Sequence, residues 1–260
     1  MLGAIAGDIV GSVHERGGIK TKVFPLFTAE SRFTDDTVLT VAVADSLLHQ
    51  RDYVDALHDY FHAYPHAGYG GTFIQWAAAR NRRPYQSWGN GSAMRVSPVA
   101  YACTTLEDVL AEARRSAAVT HDHEHGVRGA QATAAAIFLA RTGNSKDDIR
   151  RFTEDTFDYI LDETLDQLRP AYQFDVSCQG SVPQSIIAFL ESSDFEDAIR
   201  NAISLGGDAD TMACIAGSIA EAYYGGVPEA IRKRTLTTLD QRLRSVVEEF
   251  IERFVQPRSR

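Results

Sequence analysis

Residues 206–224 constrain the fold of this chain more than any other stretch. Residues 206–211 read Gly-Gly-Asp-Ala-Asp-Thr and stand directly before the almost entirely apolar run Met212–Tyr224. Asp and Thr favour the first turn of a helix, because their oxygens accept hydrogen bonds from free backbone N–H groups. A long run of apolar and small residues without a polar face is typical of a buried helix. The stretch therefore predicts a central helix that begins at a group of side-chain oxygens.

Two interpretations of residues 206–211 are open from this stretch alone. A helix N-cap accounts for one carboxylate, Asp208 or Asp210, with the glycines forming a tight turn before it. It gives little reason for two carboxylates so close together, followed by the hydroxyl of Thr211. The alternative is a site for a divalent cation, since hard cations such as Mg²⁺ take about six oxygen ligands and usually draw them from more than one segment.

A second segment of the same kind lies near the start of the chain. Residues 34–37 read Thr-Asp-Asp-Thr and precede the apolar run Val38–Leu48, so carboxylates and threonines again stand at a helix start. The adjacent Asp35 and Asp36 repel each other unless a cation or hydrogen-bond donors lie between them. We therefore expect the two segments to meet in one metal site, although they are far apart in sequence.

The composition indicates a soluble globular protein. The chain has 260 residues, of which 44% are hydrophobic and 23% charged, and no Pro/Gly/Ser-rich linker or block of charge divides it. We expect a single domain over residues 1–256 and a frayed tail over residues 257–260. The net charge of −9 argues against a nucleic-acid backbone as the main partner.

The cysteines and the N-terminus bear on localisation. Cys103, Cys178 and Cys214 lack C-x-x-C spacing, so we expect no zinc site and no disulfide, but buried or half-buried thiols in a reducing compartment. Residues 1–13 are apolar but contain Asp8, and no basic segment precedes them. We expect no signal peptide and no membrane span, and hence a cytoplasmic protein.

Helical periodicity covers most of the chain, and hardly any stretch alternates with period two. The fold class predicted is all-α. The first helix carries small residues at spacings that allow close approach to another backbone, and it ends near Gly11. The expected helices span residues 1 to about 11, 31–50 with its cap, 52–64, 72–80, 106–118, 126–141, 146–168, 181–192, 195–205 and 212–224, with two more over 228–254.

Two further carboxylates stand near the first helix. Asp8 lies on a largely apolar helix and needs partners, so it either caps or pairs with a buried polar group or has a catalytic role. Glu15 follows where the helix gives way to the Gly17-Gly18 turn. That position is accessible, and it suits either a working carboxylate or a solvated surface residue.

Residues 65–98 form a loop-rich section in which glycines alternate with aromatic residues. Long irregular segments inside a compact domain are usually functional or disordered, and this composition favours function. Backbone N–H groups exposed by glycines can hold a pyrophosphate, while Tyr85 or Trp88 can flank a base or a sugar. Glycines that only allow a turn are the common alternative.

Residues 120–125 read Thr-His-Asp-His-Glu-His, and His121 and His125 have the i, i+4 spacing of half a transition-metal site. No third soft ligand stands nearby in sequence, and an oxygen-rich site is already present elsewhere. We favour a polar entry to the next helix, from which His121 reaches the active-site cleft.

Five motifs together resemble the ADP-ribosylglycohydrolase family, which includes the dinitrogenase-reductase-activating glycohydrolases. They are G-D-x-x-G (7–11), T-D-D-T (34–37), G-N-G-x-A-M-R (89–95), T-H (120–121) and G-G-D-A-D-T (206–211). They stand in the family's order, and the match runs from about residue 3 to residue 228. The resemblance implies a single-domain orthogonal helical bundle with a dinuclear cleft that holds two Mg²⁺ ions, Mn²⁺ being possible.

The resemblance also implies roles for particular residues. The catalytic residues implied are Glu15 and Asp36. Glu15 stands where the family has a catalytic acid/base or a carboxylate next to the metals. The implied metal ligands are Thr34, Asp35, Asp36, Asp208, Asp210 and Thr211. The implied substrate-binding residues are Gly70, Gly71, Ser87, Trp88, Gly89, Asn90, Gly91 and His121.

The activity implied is Mg²⁺-dependent cleavage of the ribosyl C1″ bond of an ADP-ribosylated substrate, with release of ADP-ribose. The expected partner is a protein side chain, nucleobase or small molecule that carries ADP-ribose; nucleic acid is expected only if it is itself ADP-ribosylated, and the protein is expected to be a monomer without membrane contact. Two alternatives stay open: a catalytically silent ADP-ribose-binding relative, and a metal-dependent phosphohydrolase that uses residues 121–125. The acceptor, whether arginine, serine, a nucleobase or an acetyl group, is not specified by these motifs.

Overall fold

A computed structural model describes residues 1–255, and within them the chain forms fifteen helices and no strand. The predicted all-α fold is confirmed. The tail expected at residues 257–260 lies outside the described part. The helices are α1 Leu2–Gly11, α2 Asp35–His49, α3 Tyr53–Ala63, α4 Gly71–Ala78, α5 Gly91–Met94, α6 Val99–Ala102, α7 Leu106–Ala118, α8 Glu124–Arg141, α9 Lys146–Phe157, α10 Leu165–Leu168, α11 Cys178–Leu190, α12 Phe195–Ile203, α13 Ala209–Tyr224, α14 Glu229–Thr238 and α15 Gln241–Phe254.

One helix prediction is wrong, and short helices were missed. Residues 146–168 do not form a single helix, because Asp158 adopts a left-handed conformation with φ 54° and closes α9. The chain then runs irregularly to Thr164, which begins α10 with its own capping box to Gln167. The one-turn helices α5 and α6 carry too few residues to show a helical period.

The pairing of α1 with α13 organises the fold. Gly3, Gly7 and Gly11 recur once per turn along α1, and each meets the backbone of α13. A Cβ atom on Gly7 would lie 2.0 Å from the carbonyl oxygen of Ala213, and one on Gly11 would lie 2.5 Å from the Cα atom of Asp210. Only glycine allows this approach, and it brings the end of α1 beside the start of α13.

Helix α13 lies at the centre of the molecule, as its sequence predicted. All of its residues from Ala209 to Ala222 are buried, and α8, α11 and α12 pack around it together with α1. Helix α2 packs against α3 and α15, and its first turn points toward the first turn of α13. Two helix starts that carry carboxylates therefore face each other.

The three cysteines have no disulfide partner; Cys103 is half-buried, and Cys178 and Cys214 are buried, as expected. No helix within residues 1–255 is both long enough and apolar enough to cross a membrane.

Candidate active site

Asp8 reaches from α1 to the start of α2 and holds it in place. Its carboxylate accepts hydrogen bonds from the backbone N–H of Thr34 at 2.9 Å and of Thr37 at 3.1 Å. It also accepts from the hydroxyls of Thr34, at 2.7 Å, and Thr37. The capping interpretation of Asp8 is confirmed, with the difference that the capped helix is α2 and not its own.

The two acidic motifs meet, as the sequence predicted. The hydroxyl of Thr211 donates to Oδ2 of Asp36 at 3.3 Å, which joins the start of α13 to the start of α2. Asp8, Asp36 and Asp210 each offer a carboxylate oxygen within 4.8 Å of the other two, and all three residues are buried. The sequence motifs did not assign Asp8 to this group.

Capping does not account for the side chain of Asp208. Asp208 is the N-cap residue of α13, yet its carboxylate makes no capping hydrogen bond. It accepts instead from the side-chain amide of Asn90 at 2.7 Å. Asp210 accepts from the N–H of Thr211 at 3.0 Å. The N-cap interpretation of this stretch is thus wrong for Asp208, whose carboxylate is turned toward the glycine-rich loop.

The acidic cluster has more negative charge than its donors can balance. Burial raises the pKa of Asp35, Asp36 and Asp208 well above the usual range, and the charge of Asp210 raises each further. Burial and Asp210 likewise raise the pKa of Asp8 to about 7. Oδ1 of Asp36 is buried without a hydrogen-bond partner. Buried carboxylates with an orphaned oxygen fit a hard divalent cation, which would supply the missing positive charge.

A cleft of about 590 Å³ opens beside this cluster. All residues for which the resemblance implied a role line it, while the roles themselves stay predictions. Phe174 and Val176 also line the cleft and are about half exposed. No sequence pattern had marked them. The predicted residues along the cleft are Glu15, Thr34, Asp35, Asp36, Gly70, Gly71, Ser87, Trp88, Gly89, Asn90, Gly91, His121, Asp208, Asp210 and Thr211.

The turn at Gly89–Gly91 is fixed by residues 176–178. The N–H of Asn90 donates to the carbonyl of Val176 at 2.8 Å, and the N–H of Cys178 donates to the carbonyl of Trp88 at 3.0 Å. A Cβ atom on Gly91 would lie 3.3 Å from Nε2 of His121. The loop therefore presents glycine backbone, Asn90 and an imidazole nitrogen to the same part of the cleft.

Gly206 and Gly207, the glycine pair just before α13, allow this turn to pack closely against other parts of the protein. Gly206 has φ +68°, and a Cβ atom there would lie 2.9 Å from the carbonyl oxygens of Gly18 and Ile19. A Cβ atom on Gly207 would lie 2.3 Å from the ring of Tyr172. Gly206 thus lets the turn pack against Gly18 and Ile19, which follow Glu15 in the chain, and Gly207 leaves room for the ring of Tyr172.

Glu15 is half-buried at the rim of the cleft. Burial raises the pKa of its carboxyl, as does the charge of Asp210, while Arg16 and Arg32 oppose the shift. The segment that follows is tied to the core. Lys20 donates to the carbonyls of Tyr172, at 2.5 Å, and Leu205.

Arg200 on α12 makes a second tie to this segment. Its guanidinium donates to the carbonyls of Lys22 and Phe24 at 2.9 and 2.8 Å. These bonds place Glu15 near the acidic cluster, which the sequence around it did not show.

The histidine-rich stretch does not form a metal site. Nδ1 of His123 accepts from the N–H of His125 at 3.2 Å and so caps α8. Of residues 121–125, only His121 lines the cleft. Within residues 1–255, the one group of three close metal-ligating side chains is Asp8, Asp36 and Asp210. The preferred interpretation, a polar helix entry with His121 at the cleft, agrees with this geometry.

Fold and cleft together define an all-helical protein with a buried acidic centre beside a ligand-sized cleft. The ADP-ribosylglycohydrolase family model matches residues 1–260, and the chain belongs to that family. As a member it is an enzyme that hydrolyses ADP-ribosylated substrates.

Relatives of known activity are similar over most of the chain. ADP-ribosylhydrolase ARH3 of Mus musculus is 31% identical, covering 88% of this chain and 84% of that protein. ADP-ribosylarginine hydrolase Tri1 of Pseudomonas putida (strain GB-1) is 27% identical, covering 98% of this chain and 78% of that protein. A solved structure titled "ADP-ribosylglycohydrolase-related protein complex" superposes with a TM-score of 0.69 at 25% identity and 96% coverage of each chain.

Proposed function

We propose that this enzyme is a Mg²⁺-dependent hydrolase that cleaves the ribosyl C1″ bond of ADP-ribosylated substrates and releases ADP-ribose. The observation that carries the proposal is the meeting of Asp8, Asp36 and Asp210 in one buried group at a cleft that Glu15 also lines. A cleft of about 590 Å³ is of the size that takes a nucleotide-sized ligand.

The residues proposed to hold two Mg²⁺ ions are those at the starts of α2 and α13. They are Thr34, Asp35, Asp36, Asp208, Asp210 and Thr211, and the geometry adds Asp8 beside them. When bound, the ions supply positive charge that orients the ribose hydroxyls and polarises water. Asp8 also positions the start of α2 through its bonds to Thr34 and Thr37.

The part of the cleft beside the Gly89–Gly91 turn is proposed to hold the ADP moiety. The side chain of His121, whose Nε2 faces this turn, offers a hydrogen-bond donor for the diphosphate. A Cβ atom on Gly70 or Gly71 would meet no protein atom within 4 Å, so space for a ligand lies in front of both. Trp88, which is 48% exposed, offers an aromatic face for stacking.

The chemical step is hydrolysis at C1″. The bond from C1″ to the acceptor breaks, water adds to C1″, one water proton passes to the carboxylate of Glu15, and Glu15 returns a proton to the departing acceptor atom. The transition state has oxocarbenium character, and the neighbouring carboxylates stabilise its positive charge. Burial and the charge of Asp210 raise the pKa of Glu15, which makes its carboxylate a stronger base toward water than a free carboxylate.

The proposal is tested by incubating the protein with substrates ADP-ribosylated on arginine, serine or nucleic acid, in Mg²⁺, in Mn²⁺ and in EDTA, and by measuring released ADP-ribose. We expect release from at least one substrate with Mg²⁺ and none with EDTA. Binding of ADP-ribose without release from any substrate would instead identify a silent relative. Release that persists in EDTA would contradict the metal requirement.

A further inference from the structure

Arg95 is a buried cation without an acidic partner. Its guanidinium is fully buried at the C-terminal end of α5. Nη2 donates to the carbonyl of Ser116 at 3.0 Å and to Oγ1 of Thr120 at 2.8 Å. Nε and Nη1 have no hydrogen-bond partner, and no carboxylate within residues 1–255 forms an ion pair with this side chain. Burial lowers its pKa to about 10, so it is still charged at neutral pH.

An uncompensated buried charge costs folding free energy, and the contacts of Arg95 connect it to the cleft. Oγ1 of Thr120 lies 2.7 Å from Nδ1 of His121. Thr120 is fully buried, and His121 is 5% exposed, with Nε2 facing Gly89 and Gly91. The three side chains form a hydrogen-bonded series that runs from Arg95 in the core to the predicted phosphate site.

The chemistry of this series decides which nitrogen of His121 carries a proton. Arginine can only donate, so one lone pair of Oγ1 of Thr120 accepts from Arg95. The guanidinium offers no acceptor to the hydroxyl proton of Thr120, whereas Nδ1 of His121 lies 2.7 Å from Oγ1. When the Thr120 hydroxyl donates to Nδ1, the ring proton resides on Nε2.

The charge of Arg95 favours the same arrangement. A cation repels protons toward the far side of the groups beside it, which directs the Thr120 proton to His121 and the imidazole proton to Nε2. Burial lowers the pKa of His121 well below the usual range, and Arg95 lowers it further. The imidazole is therefore a neutral donor at neutral pH.

We propose that Arg95 and Thr120 are positioning residues that hold His121 as the neutral Nε2–H tautomer, with its N–H directed at the Gly89–Gly91 turn to donate to a phosphate oxygen of the ligand. The phosphate half of this inference rests on the proposed function, whereas the tautomer half concerns the free protein. Thr120 is fully buried and does not line the cleft, whereas the buried Arg95 borders it; both are proposed to act through His121.

The tautomer is measured in the free protein by long-range ¹H–¹⁵N correlation spectra of the imidazole rings. The signals of His121 are identified by their absence from the spectrum of His121→Asn. We expect a neutral ring protonated at Nε2 in the wild type, and a mixture of tautomers in Thr120→Val, which removes the hydroxyl at nearly constant volume. A wild-type ring protonated at Nδ1, or a Thr120→Val spectrum identical to the wild type, would overturn the proposal.

The phosphate half is measured by calorimetric titration with ADP-ribose. Thr120→Val should weaken binding about tenfold, equivalent to about 1.4 kcal/mol, and Thr120→Ser, which keeps the hydroxyl, should restore affinity to within about twofold of the wild type. Thr133→Val is the matched control, because Thr133 is also buried but its hydroxyl has no partner. It should leave both affinity and tautomer unchanged.

Three further outcomes separate the hypotheses. Equal affinities of Thr120→Val and wild type contradict the phosphate half even if the tautomer shifts. A wild-type protein that does not bind ADP-ribose contradicts the proposed function, while the tautomer spectra still decide the role of Thr120. In Arg95→Met, if circular dichroism shows it folded, an unchanged tautomer and affinity remove Arg95 from the proposal.

Discussion

The buried carboxylates of the acidic cluster lower the stability of the fold, and the same negative charge suits them to bind a cation. Asp36 has an oxygen that is buried without a partner, and Asp8, Asp35, Asp208 and Asp210 all add repulsion to its charge. A buried group of this kind persists in a protein when something outside the chain compensates it. The unpaired oxygen that makes Asp36 unfavourable to bury is therefore also the reason to predict that Asp36 binds a cation.

Asp36→Asn is expected to stabilise the metal-free protein and to abolish metal binding. The amide removes a repelled negative charge, so we expect the free energy of unfolding to rise by about 1 kcal/mol, or the Tm by about 2–4 °C. The Mg²⁺-induced rise in Tm and the hydrolytic activity should both be lost. Thermal unfolding with and without Mg²⁺ measures this, and Asp162→Asn, at an exposed carboxylate, is the control. A variant that is less stable than the wild type without metal contradicts the argument.

Glu15→Gln is expected to separate catalysis from binding. The amide keeps the size of the side chain but cannot accept a proton, so we expect kcat to fall by about 100-fold or more and the Kd for ADP-ribose to change little. The exposed Glu30 lies in the same segment, and Glu30→Gln should retain activity. Full activity of Glu15→Gln at every pH tested would remove Glu15 from the mechanism.

At the scale of elements, backbone contact between α1 and α13 determines where the site forms. The glycines of α1 allow the two helices to approach until their backbones touch. Asp8 and Asp210 extend from these two helices and come together for that reason. The site thus depends on the small size of residues that take no part in the chemistry.

Gly7→Ala is expected to disrupt this contact. Its Cβ atom would lie 2.0 Å from the carbonyl oxygen of Ala213, which is backbone and cannot turn away. We expect a loss of about 3–5 kcal/mol in the free energy of unfolding, measured by urea denaturation. Gly17→Ala is the matched control, because its Cβ atom would meet only the carbonyl oxygen of His14 at an ordinary 3.7 Å. Equal stability of the two variants would show that the helices can separate without cost.

At the scale of the whole molecule, the site exists only in the folded chain. Its residues come from the end of α1, the start of α2, the Gly89–Gly91 turn and the start of α13. In the unfolded state these segments are far apart, so a ligand that needs all of them binds only the native state.

Metal and ADP-ribose are therefore expected to stabilise the protein in a linked manner. At a Mg²⁺ concentration about 100 times its Kd, the gain should be about 2.7 kcal/mol. ADP-ribose should raise Tm more with Mg²⁺ than with EDTA, because its ribose is expected to lie at the metals. Differential scanning calorimetry over a matrix of both ligands measures this. Strictly additive shifts would indicate that the two ligands bind independently.

Most of the secondary structure could be predicted from the sequence, because helix periodicity and capping act over a few residues. Helix α7 was predicted with its observed bounds, and α13 was recognised as the central helix. The break after Phe157 was missed because Asp158 closes α9 through a backbone conformation that its residue type does not require. The candidate metal ligands were proposed because carboxylates and threonines repeat at two helix starts, whereas the substrate-binding candidates rested on the resemblance to the family.

The sequence predicted that the two acidic motifs meet, but only the tertiary structure decided which of their side chains make contact and which other residues join them. The sequence by itself determined the all-α class and the acidic chemistry of two separated motifs, since both depend on local composition. It left the role of Asp8 open, and it carried no sign that Phe174 and Val176 reach the cleft. Contacts of that kind depend on how closely distant helices and loops pack, and this distance is set by the backbones of both partners.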